Sequence, residues 1–236
     1  MHFGNYVFAE PYLGWLVRGI LMTLLISVVS GTAAALLGLW VTRLRLTSRR
    51  GPRLAADTFV MIFRNLPLVP LLLFVTFALP RLWLQVTGRA FPIWADLYLL
   101  LAVLSADSGA NFAEILRAGV LGVAPQQQEV ARTMGLSAGA IRWHVVFPQA
   151  ARIVAPALAT RWIQNMKNST MALVVPLPLG LLEMAGQAER IAGETFSWVQ
   201  PLTAIAVVYL LLSLGSGWFL NRWASRAQAR VQAGAA

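Results

Sequence analysis

Residues 129–148 read Glu129-Val130-Ala131-Arg132-Thr133-Met134-Gly135-Leu136-Ser137-Ala138-Gly139-Ala140-Ile141-Arg142-Trp143-His144-Val145-Val146-Phe147-Pro148. The stretch is polar and basic at its start, carries a glycine seven positions in, and stops at a proline, and hydrophobic segments lie on both sides of it. Such a segment belongs at a membrane face, because hydrocarbon offers no partners to polar groups. Pro125 suits the first position of a helix, where its missing N–H costs nothing. Residues 126–134 then make about two and a half turns. Gly135 suits a left-handed terminator, and Ser137 suits the cap of a second helix running through Ile141 and Val145. Pro148 is expected to redirect the chain. Val130 and Met134 share one helix face, as do Ile141 and Val145. Physics alone leaves two readings. One is a hairpin resting on the membrane, with Glu129 and Arg132 as a surface pair. The other is a handle that a soluble partner pushes.

The rest of the chain supports the membrane placement. Of its 236 residues 58% are hydrophobic and 12% charged, and mean hydropathy is +0.67. A soluble domain is nearer half apolar and a quarter charged. Length argues for a single domain over residues 1–236, with a core at about 15–222 and the handle at 125–148. The net charge of +10 is explained by position. Arg43, Arg45, Arg49, Arg50 and Arg53 crowd one loop; Arg117, Arg132, Arg142 and Arg152 flank or lie in the handle; Arg222, Arg226 and Arg230 sit in the tail. Arginine beside spans marks the cytoplasmic side. No aromatic-rich basic platform accompanies the charge, so nucleic acid is not an expected partner. Cysteine is absent and the two histidines, His2 and His144, lie far apart, which excludes a disulfide framework and argues against a metal site. Residues 1–10 lack the basic start and small-residue cleavage pattern of a removable signal peptide.

Five spans are expected. Residues 19–41 are apolar apart from Ser and Thr and long enough to cross ~30 Å of hydrocarbon. The arginine loop 43–53 then places the N-terminus outside. Span two, about 59–79, contains Arg64, Asn65, Pro67 and Pro70; residues 80–92 read as an outside loop with Trp83 and Trp94 as interfacial anchors. Span three, about 94–118, ends in Asp107, Asn111 and Glu114. Span four, about 153–182, is the least apolar, with Arg161, Gln164, Asn165, Lys167, Asn168, Ser169 and Thr170. Glu183, Glu189, Arg190 and Glu194 read as an outside loop, and span five covers 202–220 with the C-terminus inside. Spans two to four carry the polarity and are expected to line an interior, while one and five face lipid.

The handle also resembles a known motif. Glu129-Val130-Ala131, Gly135, Val145 and Phe147-Pro148 keep every spacing of the E-A-A-x3-G-x9-I-x-L-P loop of ABC-importer permeases, and Gln149-Ala150 continues it as in the polar-amino-acid branch. Tyr12-Leu13-Gly14-Trp15 with Gly19 and Thr23, Phe63-Arg64-Asn65-Leu66-Pro67-Leu68, Ala113-Glu114-Ile115-Leu116-Arg117 and Lys167-Asn168-Ser169-Thr170 resemble further elements of that family in order. Glu183 to Ala188, with Phe196 and Leu202-Thr203-Ala204, is most similar to glutamate/aspartate-type permeases. The departures are Gln126-Gln127-Gln128 before Glu129, the local insertion Pro176-Leu177-Pro178, and Asn111 and Asp107 in unexpected places.

The resemblance implies an all-α membrane protein of the type I importer kind. It implies a bacterial inner-membrane subunit that is not itself an enzyme, passing a polar amino acid, glutamate or aspartate favoured, by alternating access. No Gly-x4-Gly-Lys-Ser/Thr loop occurs here; ATP and magnesium belong to a separate ATPase dimer, and no cofactor or metal is expected in this chain. A solute-binding protein, a second permease chain (identical or homologous) and membrane lipid are the other implied partners. Glu129, Val130, Ala131, Gly135, Val145, Phe147 and Pro148 would couple to the ATPase. Ionisable groups within spans are functional candidates, giving Lys167, Asn168, Ser169, Glu114, Asn111, Asp107 and Arg161 as the substrate path. Lys167 or Arg161 would meet a carboxylate, and Asp107 or Glu114 an ammonium; the alternative for Glu114 and Arg117 is an interspan ion pair. Two other classes compete. A membrane-embedded acyl- or phospholipid-modifying enzyme would use His144 or Glu114, and a self-sufficient channel or carrier would need no ATP.

Overall fold

The computed structural model describes residues 10–92 and 95–232, with Leu179, Asn221 and residues 223–232 as backbone only. Among the described residues the chain is helical with no β-strand. The order is α1 (Tyr12–Arg45), α2 (Arg50–Asn65), α3 (Leu68–Leu73), α4 (Leu79–Thr87), α5 (Ala95–Leu121), α6 (Pro125–Thr133), α7 (Ala138–Ile141), α8 (Phe147–Asn168), α9 (Met184–Thr195) and α10 (Val199–Gln232). His2 and Trp94, and the proposed absence of a signal peptide in residues 1–10, lie almost wholly outside the described residues.

Helix α1 packs on its neighbours through a buried stripe of small residues: Gly19 and Thr23 face Met184 and Glu183 at the start of α9, Gly31 faces Trp162 of α8, and Gly38 faces Phe112 of α5, with Ser27, Ser30 and Ala34 buried between them. Small side chains let two backbones approach closely in lipid, where packing and hydrogen bonds replace the hydrophobic drive. A Cβ on Gly38 would stand 2.7 Å from Cβ of Phe112, so this contact needs glycine. Helix α1, expected to face lipid, thus turns one face to the bundle and keeps the other exposed, with Leu21, Leu25, Leu36, Leu39 and Trp40 outward. A third of its apolar window is buried within the chain, against 11% for Leu68–Thr87. The Ser and Thr of α1 read in sequence as tolerated exceptions, but they mark its buried face.

Pro148, expected to redirect the chain, and Pro80, expected to open an outside loop, both lie within helix. A wide π turn at Phe74–Ala78 joins α3 to α4, with the Leu79 N–H donating to Phe74 O, and Pro80 follows inside α4. A second π turn at Arg142–Val146 joins α7 to α8, with Phe147 N–H donating to Arg142 O, and Pro148 follows. Each π turn ends two residues before its proline. Widening the turn shifts the hydrogen-bond register where proline removes a donor, so the helix continues. Span two thus runs Leu68–Thr87, residues 80–87 are helix rather than loop, and Pro148 lies within a helix.

Among the described residues four helices are long and apolar enough to cross a membrane: Tyr12–Arg45, Leu68–Thr87, Ala95–Leu121 and Val199–Leu220. Helix α8 is long enough at 22 residues, but its polar residues make it less apolar than these four. Residues 183–194 also differ from expectation: they form α9, not a loop, and α9 packs with Leu16 and Ile205 through Met184, Ala188 and Ile191. Trp83 is half exposed and stands edge-on to Phe91, ring centroids 5.9 Å apart.

Candidate functional site

The handle is built by local chemistry. Helix α6 opens at Pro125, and Gly135 takes φ +83. The Leu136 N–H reaches back to Ala131 O at 3.2 Å and the Gly135 N–H to Arg132 O at 2.9 Å, closing the helix end. An ideal Cβ on Gly135 meets nothing within 4 Å, so backbone conformation alone demands glycine there. Ser137 accepts from the Ala140 N–H at 3.3 Å and caps α7. Ala131, Ile141, Val146 and Ala150 bury together with Val123 beyond the end of α5, and Val145 and Phe147 pack on them. The handle therefore grips the ends of α5 and α8. Its other face is open: Val130, Met134 and Trp143 are 59%, 74% and 70% exposed. Glu129 is exposed and has no ion pair with Arg132 among the described residues. Pro148 is half-buried. His144 is exposed, its Nδ1 3.0 Å from Ala140 O.

Above the handle, one carboxylate gathers three arginines. Glu114 lies 2.6 Å from Arg45 Nη1, 3.2 Å from Arg117 Nη2 and 3.5 Å from Arg64 Nη1. Arg45 also binds Asp57 through Nε at 2.7 Å. This cluster ties α1, α2 and α5 together beside the buried Val41, Ala56, Val60, Ala110 and Ala113. Asp57 was not singled out in the sequence, and Arg45 was read there only as one of the loop arginines that mark the cytoplasmic side.

The remaining path candidates collect on α8 and the facing turns of α5. Asp107 pairs with Arg161, which also reaches Ser108 Oγ at 3.5 Å. Arg161 Nε is buried without a hydrogen-bond partner. Ser108 Oγ donates to Asn165 Oδ1 at 2.8 Å, and Asn165 Nδ2 donates to Ser27 O and Ser30 Oγ, both at 3.1 Å. That fully buried network fixes the backs of α1, α5 and α8 together. Asn111 Nδ2 donates to Asp107 O at 2.8 Å. Gln164 Nε2 donates to Asn168 Oδ1 at 3.0 Å. Positions 161, 164 and 168 share one face of α8, and Lys167 stands exposed beside them with no ion pair among the described residues. Lys167 and Thr170 line a shallow cleft against Tyr209 and Ser213 of α10. Ser169 differs: it is fully buried and its hydroxyl donates to Met166 O at 2.7 Å. The structure thus brings Asp107, Arg161 and Asn111 together, with Lys167 and Asn168 further along the same helix. Glu114 sits about 10 Å along α5 from Asp107, by helical rise.

Glu183 is a further buried polar residue, read in sequence as a loop acid. It is 1% exposed, caps α9 by accepting from the Ala185 and Gly186 N–H groups at 2.8 and 3.0 Å, and accepts from Tyr209 Oη at 3.0 Å and Thr23 Oγ1 at 3.4 Å. Burial pushes its carboxyl above the usual range, while the two amide donors pull the other way. No group of three or more metal-ligating side chains occurs among the described residues.

An all-helical bundle of apolar spans, with a short helix–turn–helix gripped at one end, is the geometry on which comparison with known proteins turns. The family model described as "binding-protein-dependent transport system inner membrane component" matches residues 34–228. The chain belongs to this family. It is an inner-membrane permease component of a binding-protein-dependent transport system, a transport component rather than an enzyme, and the ATPase is a separate subunit. The arginine transport system permease protein ArtQ of Bacillus subtilis (strain 168) is 28% identical over 204 residues, covering 86% of this chain and 88% of its own. The glutamine transport system permease protein GlnP of Escherichia coli (strain K12) is 29% identical over 212 residues, covering 90% of this permease and 92% of its own. A crystal structure of an amino acid ABC transporter with histidines superposes with a TM-score of 0.83 at 26% identity, over 96% of this permease and 100% of that chain. The inward-facing MetNI methionine transporter shares the fold, with a TM-score of 0.69 over 93% of this permease and 99% of that chain at 20% identity.

Proposed function

We propose that this permease passes a polar amino acid, glutamate or aspartate favoured, from a solute-binding protein to the cytoplasm by alternating access. A separate ATPase dimer drives the cycle, and a second permease chain, identical or homologous, completes the path. Neither ATP nor magnesium has a site in this chain on this reading. Helix α8 supplies the fifth span, the N-terminus lies outside and the C-terminus in the cytoplasm, with the whole chain as one transmembrane domain. Arginine clustered at the α1–α2 corner and on the handle supports that orientation.

The observation that carries the coupling half is the handle: its inner face is buried on α5 and α8, while Val130, Met134 and Trp143 are displayed to a partner. Glu129, Val130, Ala131, Gly135, Val145, Phe147 and Pro148 act as one lever, whose rigidity converts ATPase closure into tilting of α5 and α8. The substrate half rests on charge. Asp107 is neutralised by Arg161 and Glu114 is outnumbered by arginines, so Lys167 leaves the polar face of α8 with net positive charge. A substrate with an extra carboxylate suits that face better than one with an extra ammonium. Asn111 and Asn168 complete the proposed path, while Ser169, fully buried, does not line it.

ATP hydrolysis by the reconstituted complex with its binding protein, across a panel of amino acids, tests both halves. Stimulation by glutamate or aspartate is expected. Stimulation by arginine or lysine alone would overturn the acidic preference and keep the importer class. Gly135→Val, which forces a β-branched residue into positive φ, is expected to leave the chain in the membrane and abolish substrate-stimulated hydrolysis. Wild-type stimulation in that variant would remove the lever.

A further inference from the structure

At the corner where α1 gives way to α2, two strips of exposed side chains change character together. On α1 the strip runs Leu36, Leu39, Trp40 and then Arg43, at spacings of three and four. On α2 it runs Met61, Thr58, Leu54 and then Arg50. Each strip is mostly apolar along its length and ends in arginine at the same end of the bundle, the end that carries the handle. Trp40 and Leu54, 60% and 68% exposed, mark the change.

The arginines there are of two kinds. Arg45 is turned inward and spent on Asp57 and Glu114. Arg43, Arg49 and Arg50 are exposed, and their side chains have no hydrogen bond or ion pair among the described residues. Arg53 lies exposed, 3.7 Å from Asp57. Asp57 is the only acid between residues 11 and 95, and Arg45 already holds it. The corner is therefore uncompensated positive charge bordered by exposed apolar side chains.

Depth identifies what meets it. Helix α1 has 34 residues, about 51 Å at the helical rise, against ~30 Å of hydrocarbon and ~40–45 Å with both headgroup layers. Its last turns thus emerge through the headgroup layer, with Trp40 at the boundary, where such rings settle, and Arg43 one turn beyond. A soluble partner would not require the apolar-to-cationic gradient to be repeated on two helices, whereas the edge of a leaflet presents that gradient everywhere. Guanidinium groups bind phosphate oxygens in pairs and suit this layer.

We propose that the α1–α2 corner is a binding site for anionic phospholipid, with Arg43, Arg49 and Arg50 on the headgroup phosphates and Trp40 and Leu54 against the upper acyl chain. The site would hold lipid on the helices that the Arg45–Asp57–Glu114 cluster joins.

The test uses the assembled importer in nanodiscs of phosphatidylcholine containing a minor share of phosphatidylglycerol, with lipid retained after mild detergent extraction counted by native mass spectrometry. The wild type is expected to retain phosphatidylglycerol in excess of its share. Arg43→Gln/Arg49→Gln/Arg50→Gln is expected to lower that excess about tenfold or more, and Arg→Lys at the same positions to keep part of it. Arg132→Gln/Arg142→Gln on the handle should leave it unchanged. An unchanged excess in the triple glutamine variant overturns the site. So does equal loss of both lipids, or an unchanged excess with loss of the ATPase subunit, which would make the corner a protein contact. Should the triple glutamine variant fail to accumulate, the lysine triple decides: the expected partial loss of the excess there supports guanidinium–phosphate pairing, and an unchanged excess overturns it.

Discussion

Asp107 and Glu114 sit two turns apart on α5 and both face arginine, yet they occupy opposite situations. Glu114 is surrounded by Arg45, Arg64 and Arg117, and Arg45 is further tied to Asp57. Asp107 meets one arginine, Arg161; its Nε is buried with nothing to donate to, as is that of Arg117 beside Glu114, so the two carboxylates differ in the number of cations they meet. A carboxylate with several cations is over-determined; removing any one contact leaves others. A carboxylate with a single, under-satisfied partner is exchangeable, because an incoming carboxylate offers the same guanidinium an equal bond and a place for the spare donor. The first is suited to a clamp and the second to a receptor, although both read alike in sequence as an acid within a span.

Glu114→Ala gives the largest expected effect. It leaves Arg45, whose side chain is 9% exposed, facing only Asp57, and stranding a largely buried charge costs about 2–3 kcal/mol in a partly exposed cluster. The thermal midpoint of the purified complex is expected to fall by several degrees, with the ranking of substrates unchanged. A change in substrate ranking would break the distinction between the two carboxylates.

Arg161→Gln comes next and should move the opposite observables. Loss of one charge-assisted contact to substrate is expected to reduce stimulation by glutamate or aspartate about tenfold to a hundredfold at fixed concentration, and stimulation by glutamine much less. Asp107→Asn keeps the side chain's shape and removes its charge. Arg161 then faces the path uncompensated, and the half-saturating concentration for acidic substrate is expected to fall about threefold to tenfold relative to glutamine. Equal shifts for acidic and neutral substrates in either variant would return this pair to a structural role like that of Glu114.

The difference between the two carboxylates was not legible in sequence, and the reason is separation. Asp107 and Arg161 lie 54 residues apart, and Arg45 and Glu114 69 apart; no periodicity reports such pairings. Glu183 is the same case, since its burial depends on Thr23 and Tyr209, 160 and 26 residues away. What was legible was local. Pro125 opens α6, Gly135 takes the left-handed turn, and Ser137 caps α7, because each is decided by a residue's own backbone preference within one turn. Proline misled where a neighbouring turn absorbed its missing donor, at Pro80 and Pro148. Hydropathy misled on α1, whose Gly, Ser and Thr residues are polar enough to notice and small enough to be the packed face.

The smallest expected effect separates a receptor from a general field. Lys167 is exposed, lines the cleft against α10, and has no ion pair among the described residues. An exposed charge contributes through a screened field and not through a fixed contact. Lys167→Gln is therefore expected to weaken acidic-substrate stimulation only about threefold, and the loss should shrink as salt is raised from low to physiological ionic strength. The Arg161→Gln loss should be nearly independent of salt, because a largely buried pair is poorly screened. Matching salt dependences would place both cations in the same environment, and the contrast between a held guanidinium and a free ammonium on α8 would not stand.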